Sequence, residues 1–207
     1  MKLETQCLHA GYSPESTTNS CAVPLYKTSS FVFNNTEHAA NLFGLRELGN
    51  IYTRLMNPTT DVLEQRVAAL EGGAAALGIA SGTSAVFYSI INLAQEGDEI
   101  ISANNLYGGT YTQFNDILPK FGIKVKFVDP NNPADFAAAI TDKTKALFCE
   151  SVSNPGLDVA DIKAIANVAD DHGIPLIVDS TFSTPYLTNP IEHGASIVIH
   201  SLTKWMG

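Results

Sequence analysis

Cysteine is scarce, with Cys7, Cys21 and Cys149 the only three in 207 residues. An odd number at such wide spacing matches neither a disulfide framework nor a CxxC metal site, so reduced thiols are expected. Basic residues are also few: Lys and Arg total 12 against 21 for Asp and Glu, a formal net charge of −9. That balance lacks the electrostatic footprint of a nucleic-acid binder, and nucleic acid is excluded as an expected partner. Long apolar runs are missing. Stretches such as Ile174-Pro175-Leu176-Ile177-Val178 and Ala195-Ser196-Ile197-Val198-Ile199 fall far short of the ~20 residues that cross a bilayer. The first residues, Met1-Lys2-Leu3-Glu4-Thr5-Gln6, carry no apolar segment or cleavage pattern of a secretory signal, which makes the cytoplasm the expected compartment. His9, His38, His172, His193 and His200 lie far apart without ligand spacing, and no metal site is expected. What the chain does have is 45% hydrophobic and 16% charged residues, enough to bury the core of one domain.

From Asp61 onward, helical apolar spacing alternates with short β-branched runs. That alternation predicts an α/β fold, a mostly parallel sheet flanked by helices. Strands are expected over 74–80, 99–102, 124–128, 146–150, 175–178 and 197–199. Helices are expected over 62–70, 85–94, 111–120, 133–140 and 160–172. Residues 1–60 differ. They are rich in Ser, Thr, Asn and Pro, with too little periodic apolar content for a core of their own. They are expected to form an extended arm lying on a neighbouring surface, with residues 61–207 forming the α/β domain.

In open parallel sheets, ligands bind beyond the carboxyl ends of the strands, so the residues following each expected strand carry the chemistry. Ser81-Gly82-Thr83 opens a helix, where small residues let backbone N–H groups approach an anion and the helix dipole favours negative charge. Asp179 leaves the strand Leu176-Ile177-Val178, and Ser201, Thr203 and Lys204 follow Val198-Ile199. A lysine at a strand end beside hydroxyls and a carboxylate is suited to Schiff-base chemistry, which needs a desolvated amine of lowered pKa. Singly, each residue has an ordinary alternative: an N-cap, a hydrogen-bonded Asp, a solvated lysine. Together they describe a pyridoxal 5'-phosphate site. The phosphate would take Ser81, Gly82, Thr83, Ser201 and Thr203, the pyridine nitrogen would take Asp179, and the aldehyde would take Lys204.

Further stretches carry a family resemblance: Leu8-His9-Ala10-Gly11-Tyr12, Tyr52-Thr53-Arg54-Leu55-Met56-Asn57-Pro58-Thr59, Asn105-Leu106-Tyr107-Gly108-Gly109-Thr110, Glu150 with Asn154-Pro155-Gly156, Val178-Asp179-Ser180-Thr181-Phe182 and His200-Ser201-Leu202-Thr203-Lys204. In this order the chain resembles the N-terminal half of a Cys/Met-metabolism pyridoxal-phosphate enzyme of fold type I, most like the O-acetylhomoserine sulfhydrylases. The resemblance implies that Lys204 is the Schiff-base lysine and that Tyr107 stacks on the cofactor ring and assists proton transfer. It also implies that Asn154 contacts the ring hydroxyl, with Thr181 near the ring. Tyr52 and Arg54 would reach the phosphate of a neighbouring subunit, which makes the arm a component of a homo-oligomer with shared active sites, a dimer of dimers. A bidentate guanidinium suits a phosphate dianion.

The implied reaction is γ-replacement, O-acetyl-L-homoserine plus sulfide giving homocysteine and acetate, with small molecules as substrates. Other activities of the family, a γ-lyase, γ-synthase or β-lyase, share the same cofactor residues. A catalytically incomplete binding or assembly module is the alternative from a different class, because the family's substrate-carboxylate arginine lies in the C-terminal portion. A nucleotide-binding doubly wound domain is disfavoured by the absence of G-x-G-x-x-G after the first strand.

Overall fold

Asn57 accepts a hydrogen bond from the Thr59 amide at 2.9 Å and precedes Pro58, whose missing N–H costs nothing in a first helical turn. This cap starts the longest helix in a computed structural model that describes all 207 residues. The chain forms two units, Met1–Gly78 and Ile79–Gly207. The first holds α1 (Leu3–His9), α2 (Thr36–Phe43) and α3 (Pro58–Glu71). Helix α3 ends at Gly72, which takes a left-handed φ of 68° that a side chain would resist. Arg66 on α3 donates from Nε to the carbonyl of Ala10, just past α1, at 2.9 Å. Residues Ser30 and Tyr52 form an isolated antiparallel bridge.

The second unit begins with α4 (Gly82–Ile91) and continues through β1 (Glu99–Ala103), α5 (Gly108–Thr112), β2 (Lys124–Val128), α6 (Pro133–Ala139), β3 (Thr144–Glu150), α7 (Ile162–Asp171), β4 (Leu176–Asp179), α8 (Thr184–Leu187) and β5 (Ile197–Ile199). All five strands are parallel, in the order β2-β1-β3-β4-β5. Every residue of β1 is buried, as in a strand covered on both faces; Ile100, Ile101 and Ala103 supply its apolar content, while the buried Glu99 carboxylate is satisfied by Lys126, Thr141 and Thr144. Helix α7 shows the complementary pattern. Its buried residues Ile162, Ile165, Ala166 and Ala169 recur at helical spacing, and Asp161 caps it by accepting from the Ala164 amide. The core joins these faces, with Phe114 and Phe148 meeting edge to face at 4.9 Å.

Two expectations need correction. Residues 74–80 are not a strand. The run is apolar enough, but a strand needs a neighbour for its backbone hydrogen bonds, and none of the five strands pairs with it; Leu77 is 77% exposed. The helix expected over 111–120 is three short pieces instead. Helix α5 passes into a π-helical turn, Gln113–Ile117, and then a 3-10 turn, Leu118–Phe121, in which Pro119 cannot donate a helical bond. No helix is long and apolar enough to cross a membrane.

Candidate functional site

The chain runs from β1 outward to β2 and then returns to β3 on the other side of β1. The connections leaving β1 and β3 therefore diverge and open a crevice at their carboxyl ends, where open α/β sheets bind ligands. A cavity of about 610 Å³ lies there. Its walls come from the start of α4 and from the segments after β1, β3, β4 and β5, all within the second unit. The lining includes Ser81, Gly82, Thr83, Tyr107, Asn154, Asp179, Thr181, Ser201, Thr203 and Lys204. Every candidate residue named from sequence is thus on one wall system except Tyr52 and Arg54. Those two belong to the first unit, where the Arg54 guanidinium carbon lies 5.5 Å from the centre of the Tyr52 ring.

Ser81 caps α4, its hydroxyl accepting from the Ser84 amide at 3.1 Å. The first-turn N–H groups of Gly82 and Thr83 have no helical acceptor, which makes this end of the helix suited to an anion. A Cβ on Gly82 would come within 2.6 Å of the Ser201 Cβ, so only glycine lets the segment after β5 approach this closely. Ser201 in turn donates its amide to the Thr181 hydroxyl at 2.8 Å, and Thr181 donates its own amide to Asp179 Oδ1 at 3.0 Å. A chain of short bonds thereby locks Asp179, Thr181 and Ser201 together across the ends of β4 and β5. Burial pushes the Asp179 carboxyl above its ordinary value, against the bonds from Thr181 and the charge of His200. A carboxylate held this way is matched to a cationic N–H partner.

Glu150 entered the sequence reading only as part of the family resemblance, with no role at the site, although it ends β3 directly beside Asp179 in the strand register. Reading the last residue of each strand, as well as those that follow, would have found it. Burial chiefly, and the Asp179 charge after it, push its carboxyl up to about 7, against hydrogen bonds from the Tyr107 and Asn154 amides. Burial and the same two carboxylates push the Cys149 thiol up to about 12, so it stays protonated and inert. The Tyr107 ring lies against Gly109, where a Cβ would meet ring atom Cε1 at 2.5 Å. Val86, Thr110, Val152, Phe182 and Trp205 complete the lining as a largely apolar remainder, Phe182 and Trp205 meeting edge to face at 6.2 Å.

A helix start suited to an anion, hydroxyls, a half-buried carboxylate, an aromatic ring and a primary amine therefore surround one cavity, and residues 4–207 match the sequence pattern of Cys/Met metabolism PLP-dependent enzymes. The chain belongs to that family. An O-acetyl-L-homoserine sulfhydrylase of Leptospira meyeri is 57% identical over 206 residues, 100% of this chain and 47% of the relative. A homocysteine synthase of Schizosaccharomyces pombe is 53% identical over 205 residues, 99% of this chain and 48% of the relative. A Campylobacter jejuni structure containing N'-pyridoxyl-lysine-5'-monophosphate superposes with a TM-score of 0.96 at 44% identity, covering 99% of this chain and 50% of that one. The chain thus spans about half the length of the curated relatives it matches.

Proposed function

We propose that the protein containing this chain is a pyridoxal-phosphate-dependent O-acetylhomoserine sulfhydrylase. It would convert O-acetyl-L-homoserine and sulfide into homocysteine and acetate: the Cγ–O bond breaks, acetate leaves with the electron pair, and sulfide forms the new Cγ–S bond. The observation that carries this reading is the convergence, in one cavity, of Lys204, Asp179 and the Gly82–Ser201 close approach. The likeness to sulfhydrylases supports the choice of reaction within the family.

The residues fit the cofactor. The start of α4 at Gly82 and Thr83, with the Ser201 and Thr203 hydroxyls on the same cavity wall, would hold the phosphate, and the half-buried Asp179 would hold the pyridine nitrogen in its protonated form. Tyr107 would face the ring and Asn154 its hydroxyl, while the Lys204 amine would hold the aldehyde carbon. When bound, pyridoxal phosphate accepts the electron pair left as protons are removed beside the amino-acid carbon. Lys204 Nζ, once released, would take the substrate Cα proton and return it later, with Tyr107 Oη as the second proton-transfer group.

Tyr52 and Arg54 would serve a neighbouring subunit's phosphate, in a cytoplasmic homo-oligomer built as a dimer of dimers. The unpaired and exposed Cys7 and Cys21 thiols support a reducing compartment.

The test is substrate choice by the whole protein. It is expected to release homocysteine from O-acetyl-L-homoserine and sulfide and to leave methionine untouched. Breakdown of methionine without activity on the ester would place it among the lyases.

A further inference from the structure

The cavity wall contains one acid to which the reaction assigns no part. Glu150 is only 8% exposed, and burying a carboxylate is costly unless its oxygens are satisfied. Both are. Oε1 accepts the Tyr107 amide at 2.7 Å and Oε2 accepts the Asn154 amide at 3.3 Å. Tyr107 lies in the connection after β1, and Asn154 lies in the connection after β3, the two segments that diverge where the strand order reverses. A single side chain thus spans the mouth of the crevice. Each bond is charge-assisted, and a carboxylate gripping one amide with each oxygen fixes both distance and orientation. A neutral amide in its place could accept from only one of the two N–H groups and would turn a donor toward the other.

We propose that Glu150 is a positioning residue: its ionised carboxylate clamps Tyr107 and Asn154 across the crevice and so sets how their side chains meet the cofactor ring. This rests on the reading that the cavity holds pyridoxal phosphate with those two residues against the ring. The titratable groups around Glu150 are Asp179 at the paired strand position, Cys149 before it on β3, Tyr107, and Lys204 on the shared wall. Protonating Glu150 replaces an acceptor with a donor facing an N–H and loosens the clamp. The bound ring's surroundings should therefore change near neutral pH.

The test compares the whole holoprotein with Glu150→Gln and Glu150→Asp, following borohydride reduction, visible circular dichroism of the bound cofactor against pH, and kcat and KM. Glu150→Gln is expected to keep a reducible cofactor, to lose the dichroism change between about pH 6 and 8, and to lose about 10- to 100-fold in kcat with a smaller change in KM. Glu150→Asp, which keeps the charge, is expected to restore part of both. Unchanged dichroism and kcat in Glu150→Gln, or equal losses in both variants with only a lowered melting temperature, would overturn the clamp. A parent protein with no reducible cofactor would overturn the cavity reading itself, and the clamp with it.

Discussion

Two acids end neighbouring strands, Glu150 on β3 and Asp179 on β4, and their shared burial raises both carboxyl groups. The consequence for stability has a definite sign. Glu150 moves from an ordinary 4.5 to about 7 on folding. Its contribution is complete below the unfolded value and is lost as pH rises through that interval, because the unfolded chain releases the proton first. Asp179 acts in the same sense. Glu99 acts oppositely: burial raises its carboxyl, but bonds from Lys126, Thr141 and Thr144 and the Lys126 charge outweigh this, so its stabilisation fades as pH falls. In cofactor-free protein, the melting temperature of Glu150→Gln relative to the parent should therefore climb between about pH 5 and 7.5. A difference that stays constant across that range would show that Glu150 does not titrate there.

Strands were legible where a short β-branched run stands between polar turns, at the sheet edges as well as in its centre. The strands at 124–128 and 197–199 lie where β-branched alternation puts them, and β1 and β4 differ by single residues. The start of α4 was equally readable, since Ser81 is a cap and Gly82 lets the chain approach closely. The failures have a common cause, dependence on partners that local composition does not reveal. Ala74 to Ala80 has a strand's composition without a strand beside it. The segment after α5 has a helix's periodicity, but Pro119 and the packing of Phe114 on Phe148 divide it into π and 3-10 turns. The site divides in the same way. Ser201 and Lys204 follow β5 and Asp179 ends β4, so all three could be read from their place at the sheet edge. Glu150 acts through backbone amides of Tyr107 and Asn154, which are distant in sequence on one side, and no residue-type pattern marks such a bond.

Across the whole molecule, the cavity wall is drawn from the second unit, while Tyr52 and Arg54 reside in the first. If these two serve a neighbour's phosphate, each active site needs Lys204 from one subunit and Arg54 from another. Mixing Arg54→Ala protein with Lys204→Ala protein, after dissociation and reassembly, should then give more activity than the two separate samples combined, because some sites regain both residues. No gain on mixing would restrict Arg54 to its own subunit. Everything else depends on where the cofactor is attached. Borohydride reduction of the whole protein followed by intact mass and peptide mapping should find one pyridoxyl phosphate group per chain, on Lys204, and none on Lys204→Ala. Attachment to a different lysine, or an unmodified parent chain, would contradict the account.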